Sequence, residues 1–235
     1  ATANETVTVN PAPTVTLGTF SSVCEGSGSI ALSGGLPAGG TYSGVGVSGT
    51  QFDPTISGVG TFKIYYDYTD GIGCSSRDSS TITVDPLPVV TLSNDTAICD
   101  GSTVSLTAAG GTTYLWSTSA TTSSISVTPT TTTKYYVTVT GSGNCSSIDS
   151  VTVTVNPAPT ASISGTTLIC EGSSTALTAS GGTTYTWSNA STTATINVSP
   201  LTTTTYTVTI SDANGCTATA NETVTVNPAP TVTLG

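Results

Sequence analysis

The chain has 235 residues, of which only 7% are charged: three basic (Lys63, Arg77, Lys134) against thirteen acidic, for a formal net charge of −10, with no His and no Met. That balance excludes nucleic-acid binding and docking on anionic membranes, since both need clustered Lys and Arg. It also excludes Ser–His–Asp and Cys–His catalysis, which need a base that is neutral near pH 7.

No apolar run approaches 18 residues, so membrane insertion is not expected, and no basic, apolar leader opens the chain. Ala1 is not an initiator Met, and a processed or excerpted chain is expected. Thr, Ser, Val, Ala and Gly dominate. The β-branched residues alternate with polar ones in short runs, which predicts an all-β fold.

In chain order, residues 5–9 (ETVTV) read as a last strand, and residues 1–10 are assigned to the end of a preceding repeat. A Pro-x-Pro motif follows and recurs at residues 10–14, 85–89, 156–160 and 227–231, with spacings of 75, 71 and 71. Each motif removes backbone donors and fixes two φ angles. We read it as a short stiff linker and not as an SH3-type ligand. It divides the chain into domains at 11–86, 87–157 and 158–228, with 229–235 as the first strand of a further repeat.

The first domain is Gly-rich, lacks Trp, and carries the run Tyr65–Tyr66–Asp67–Tyr68. Its glycines do not match a phosphate loop, because no Gly-Lys-Ser/Thr follows. The second has strands around 115–117, 124–127 and 135–139. The third has strands at 160–164, 175–179, 184–188, 194–198, 204–210 and 220–226. Short strands at this spacing predict a β-sandwich. Trp116 and Trp187 fall on the third strand and are expected in the core, with an exposed carbohydrate-stacking Trp as the alternative.

The six cysteines keep the same rhythm. Cys24, Cys99 and Cys170 each open a Cys-acid-Gly turn; Cys74, Cys145 and Cys216 follow later turns at separations of 50, 46 and 46. One pair per domain predicts the bridges Cys24–Cys74, Cys99–Cys145 and Cys170–Cys216. No short Cys-x-x-Cys or His partner supports zinc. Periods of 71–75 residues bury a marginal core, and a bridge over such a loop adds roughly 3–5 kcal/mol.

Residues 218–235 are identical to residues 1–18, an offset of 217. Such identity marks a repeat array. A window onto a longer, polymeric chain is expected; a fragment with arbitrary boundaries is the alternative.

The remaining acids are scattered and form no carboxylate pair common to the three domains, so an enzyme is not expected. No cofactor is expected apart from calcium, for which Asp67, Asp70 and Asp78 around one turn are the candidate ligands. Isopeptide bonds cannot be general, because the third domain has no Lys. Thr96 and Ser150, each after an Asp, are candidate O-glycosylation sites, Thr96 being placed in a loop.

The runs CEGSSTALTASGGTTYTWS, SPLTTTTYTVTISDANGC and ETVTVNPAP resemble the immunoglobulin-like, PKD-like repeats of large Bacteroidota surface adhesins. The run GGTYSGVGVSGTQFDP with GTFKIYYDYTDGIGC resembles a second subtype from such arrays. The resemblance spans nearly the whole chain and lacks the WDFGDG-like motif of typical PKD domains. It implies tandem immunoglobulin-like β-sandwich domains in an elongated array, type IX secretion, an extracellular or cell-surface place, and a stalk or fibre role. The expected partners are identical chains in a fibre or further repeats of the same chain. A glycan- or surface-binding adhesin module, recognising glycans through the Gly-rich loops of the first domain or exposed Tyr, is the alternative function. Each sandwich is expected to add roughly 35–45 Å along a fibre at about 3.3 Å per residue.

Overall fold

The computed structural model describes residues 3–230. The chain divides into two compact units. Unit 1 comprises Ala1–Ser93, Thr107–Ile125 and Tyr136–Ser150; unit 2 comprises Asn94–Leu106, Ser126–Tyr135 and Val151–Gly235. Segments of the middle period therefore belong to both.

The first period contains β1 (Thr16–Leu17), β2 (Val23–Cys24), β3 (Ile30–Ala31), β4 (Gly35–Leu36), β5 (Thr41–Ser43), β6 (Val47–Ser48), β7 (Gln51–Phe52), α1 (Pro54–Ser57), β8 (Gly60–Thr69) and β9 (Ser75–Asp85). The second contains β10 (Thr91–Leu92), β11 (Thr96–Cys99), β12 (Val104–Ala109), β13 (Thr113–Trp116), β14 (Ser124–Val127), β15 (Thr133–Thr140) and β16 (Ser146–Asn156). The third contains β17 (Ser162–Gly165), β18 (Leu168–Cys170), β19 (Thr175–Ser180), β20 (Thr184–Trp187), β21 (Thr195–Val198), β22 (Thr204–Ser211) and β23 (Thr217–Asn227).

One four-stranded order recurs in all three periods: β2-β9-β8-β5, β11-β16-β15-β13 and β18-β23-β22-β20. In each, the short first strand runs parallel to the long last one. Their registers set Cys24 beside Asp85, Cys99 beside Asn156 and Cys170 beside Asn227. In the third period a second sheet, β17-β19-β21, faces the first. Strand β19 alternates strictly between buried and exposed residues, as period-two patterning requires of a sheet with one solvated face. Leu177, Trp187, Ile196, Val208, Ile210 and Val224 from five strands close the core between the sheets.

In the first period the core is Leu32, Phe52, Ile64, Ile82 and Val84. Tyr66, 2% exposed, stands where the other two periods carry no equivalent ring. Its ring lies over Gly35 and Gly40: a Cβ on either would come within 2.6 Å of Tyr66 atoms. Two of the glycines in the Gly-rich stretch thus admit an aromatic ring into the fold. The Tyr66 hydroxyl accepts from the Gly40 N–H (2.8 Å) and donates to the Pro37 carbonyl (2.7 Å). Tyr66→Phe strands both partners, and it is expected to lower stability by about 1–3 kcal/mol in urea unfolding.

The short α1 was not expected. Asp53 caps it, its carboxylate accepting from Thr55 N (2.9 Å) and Thr55 Oγ1 (2.6 Å), and Pro54 occupies the first turn. These hydrogen bonds, the side-chain one foremost, hold the Asp53 carboxyl below its ordinary value. An Asp-Pro start is a helix signal.

The expected strand at residues 5–9 is absent: residues 3–10 form none and are exposed throughout. The same residue types, at 220–227, lie within β23. There β22 pairs along one edge and β18 along the other, and Val224 is fully buried. Val7, its counterpart, is 84% exposed. A strand sequence without neighbours to take its backbone hydrogen bonds does not make a strand. The strand expected within 229–235 lies outside the described residues except for Ala229 and Pro230, which form none.

Candidate functional site: disulfides between periods

The two cysteines of one period sit at opposite ends of its last strand. Cys24 lies beside Asp85 at the end of β9, whereas Cys74 immediately precedes Ser75 at its start. An eleven-residue strand at about 3.3 Å per residue separates them by roughly 35 Å. A disulfide needs Cα atoms within about 7 Å. The same geometry separates Cys99 from Cys145 across β16 and Cys170 from Cys216 across β23. The expected pairs within each period are therefore not formed.

The structure instead bridges Cys24 to Cys145 and Cys99 to Cys216, both with Cα atoms 5.5 Å apart. Each bridge joins the first cysteine of one period to the second cysteine of the next. Cys24–Cys145 lies within unit 1 and Cys99–Cys216 within unit 2. Cys74 and Cys170 are free.

Local structure explains the placement in unit 1. The Cys145 turn closes with the Gly141 N–H donating to the Cys145 carbonyl (2.8 Å). Gly143 holds φ +58, and a Cβ there would collide with the Asp85 carboxylate. A Cβ on Gly141 would lie 3.4 Å from Pro88. The glycines thus let the turn seat against Asp85 and the Pro-x-Pro linker, where Cys24 waits on β2. On the Cys24 side, the Glu25 N–H donates to the Asp85 carbonyl (2.8 Å) and fixes the strand end.

Trypsin reads the pairing directly. A single copy of the chain, its free thiols alkylated and its two internal bridges left intact, is expected on unfolding and cleavage after Lys63, Arg77 and Lys134 to release residues 64–77, carrying Cys74, as a free peptide. Residues 1–63, 78–134 and 135–235 should stay joined until reduced. Pairing within periods would instead join 64–77 to 1–63 by mass spectrometry.

The three candidate calcium ligands are not brought together. Asp67 faces Arg77 across the β8–β9 ladder and accepts from its Nε (2.7 Å) and Nη2 (3.0 Å). Asp78, one register step away, is opposite Tyr66 and so projects from the other face; it accepts from the Leu17 N–H (2.8 Å). Asp70 caps its own turn through the N–H groups of Ile72 and Cys74. Among the described residues no group of three or more His, Cys, Asp and Glu is arranged to hold a metal ion.

Thr96 begins β11, paired with Val153, and is half-buried; it does not lie in a loop. Its neighbour Asp95 accepts from the Thr152 N–H (2.8 Å), which starts the parallel ladder. Ser150 lies within β16, half-buried, its N–H donating to Asp149 (2.7 Å). Trp116 and Trp187 are each 2% exposed. Their indole N–H groups donate to the carbonyls of Thr122 and Thr193, both at 2.9 Å. Beside Trp116 an open groove is lined by Leu115, Tyr136, Thr138 and Ile148. No helix among the described residues is long and apolar enough to cross a membrane.

Residues 87–157 match the family model described as an Ig-like domain, CHU_C associated. No curated protein sequence matches the chain. Among solved structures, the chain is similar to an I-band fragment of titin, I67–I69, at 12% identity and TM-score 0.44, over 93% of this chain and 100% of that one. It is similar to a Ca2+-stabilized, ice-binding adhesin of an Antarctic bacterium at 18% identity and TM-score 0.38, over 93% and 76%. It is also similar to a 1.5-MDa bacterial ice-binding adhesin at 17% identity and TM-score 0.34, over 89% and 95%. Inside the chain, the Trp116 and Trp187 bonds recur, and the hydroxyls of Tyr114 and Tyr185 donate to Gly111 and Gly182 at 3.1 and 2.8 Å. The period at 87–157 is thus an immunoglobulin-like domain by its family match, the third period shares its plan, and the chain as a whole is an all-β protein.

Proposed function

We propose that the chain is a structural repeat segment of an extracellular filament or adhesin stalk and not an enzyme. The observation that carries this reading is the bridging of successive periods: both disulfides join one period to the next. A binding module needs its own core held together. A serial structural element needs its junctions held together, and covalent links at junctions resist separation where a linker alone would yield. Disulfides persist in oxidising, extracellular settings, which agrees with a secreted place. Further repeats of the same pattern, or identical chains, are the partners. Electron microscopy of native material tests this. Filaments or stalks with a regular axial repeat, shortened or frayed by reductant, are expected. Isolated compact particles would overturn the reading.

Glycan binding is the second reading, favoured by one observation: the groove beside Trp116 presents Leu115 and Tyr136, about half exposed, and Ile148 at 69%. Apolar and aromatic surface of this kind suits the apolar face of a sugar ring. A glycan array separates the two readings, because a pure spacer retains nothing.

A further inference from the structure

Cys74 and Cys170 are not isolated thiols. Each has two bridged equivalents in the same chain, in the same local structure. Cys170 ends a short strand in parallel register with Asn227, as Cys24 does with Asp85 and Cys99 with Asn156. The following N–H donates to the register partner's carbonyl in all three: Glu25 to Asp85, Asp100 to Asn156 and Glu171 to Asn227, at 2.8, 2.9 and 2.9 Å. Cys74 closes its turn as Cys216 does, its N–H donating to Asp70 Oδ1 (2.9 Å) where that of Cys216 donates to Asp212 Oδ1 (2.8 Å).

Exposure differs in the direction that pairing produces. Cys145 and Cys216 are buried while Cys74 is half-exposed; Cys24 and Cys99 are half-buried while Cys170 is exposed. The two free thiols are thus of opposite kinds, one strand-end and one turn.

We infer that Cys170 and Cys74 are the two halves of a third bridge of the same class, formed between the third period of one copy of this chain and the first period of the next. The identity of residues 1–18 with 218–235 sets the repeat at 217 residues. Cys74 moved on by one repeat lies 121 residues beyond Cys170 (74 + 217 − 170), against 121 and 117 for the bridges present. The inference rests on the serial-array reading above and names the chemistry of its junction. Two thiols and one small disulfide, such as oxidised glutathione, give the Cys170–Cys74 disulfide and two small thiols, with both protons passing to the leaving thiolates.

The test mixes 15N-labelled and unlabelled copies of the full chain in a glutathione redox buffer and quenches with an alkylating agent. A non-reducing gel is expected to show a ladder at multiples of the chain mass. Tryptic mapping is expected to find residues 64–77 joined through Cys74 to Cys170, half of the links pairing light with heavy copies. Cys170→Ser and Cys74→Ser should each abolish the ladder, while a mixture of the two variants should stop at dimers. No link, a link within one copy, or symmetric Cys170–Cys170 and Cys74–Cys74 pairs overturns the inference. Copies that join end to end by electron microscopy without this link overturn the bridge and leave the array reading; copies that neither link nor join overturn both.

Discussion

Removing the Cys24–Cys145 bridge by Cys24→Ser with Cys145→Ser is expected to lower the stability of unit 1 by about 4–5 kcal/mol. The bridge closes a loop of 121 residues, and the chain-entropy model gives about 4.9 kcal/mol for that length. Such a loss is comparable to a large share of the 5–15 kcal/mol typical of a whole domain. The two loops overlap between Cys99 and Cys145, so breaking both bridges should cost less than twice one. Unit 1 can be followed alone: Trp116 lies in it and Trp187, the other Trp of the chain, lies in unit 2. In a Trp187→Phe background, the urea midpoint of Trp116 fluorescence should fall for the double Ser variant. Cys74→Ser should leave it where it was. The reverse outcome, a fall with Cys74→Ser, would restore the pairing within periods.

Trp187→Ala is expected to cost unit 2 about 3–5 kcal/mol, as truncation of a buried large aromatic does. Trp187 is 2% exposed among Leu177, Ile196, Val208 and Ile210. The loss combines the cavity with a second effect: the Thr193 carbonyl loses its indole donor. Trp187→Phe separates the two, since it fills most of the cavity and still leaves that carbonyl unpaired; its cost should be about 1–3 kcal/mol. Far-ultraviolet circular dichroism follows unit 2, while the fluorescence of Trp116 should hold its midpoint. If Trp187→Ala shifts nothing, the shared core described for β19 to β23 is wrong.

The strands were legible because their period-two pattern is strong. The expected 175–179, 184–188, 194–198 and 204–210 appear as β19 to β22 within a residue or two. Both Trp are in the core as expected, although the short parallel strands make β13 and β20 the fourth strands of their periods and not the third. The parallel strands β2, β11 and β18 were not legible, because two to four residues ending in Cys-acid-Gly read as turns. Missing them led directly to the wrong disulfides. A separation of 46–50 residues looks favourable for a bridge until the short strand is laid parallel to the long one, which sends the cysteines to opposite ends. The calcium ligands failed for a related reason. Asp67 and Asp78 are close in sequence across a hairpin, yet one register step turns them to opposite faces. The glycines of the first period read as open loop, whereas Gly35 and Gly40 make room for Tyr66. ETVTV shows the limit of pattern reading most directly: one peptide, two conformations, decided by whether neighbouring strands are there.

The interleaving of the two bridges also governs what a protease can achieve. Any single cut between Cys24 and Cys216 leaves the pieces covalently joined: a cut before Cys99 through Cys24–Cys145, a cut after Cys145 through Cys99–Cys216, and a cut between them through both. Bridges confined to single periods would protect only their own loops, and one nick in a linker would sever the chain. The connectivity here resembles a lapped splice, in which each joint is spanned by a strand that begins before it and ends beyond it. A nicked chain of this kind is expected to run at full mass on a non-reducing gel and to fall apart only with reductant, so that a cut need not become breakage.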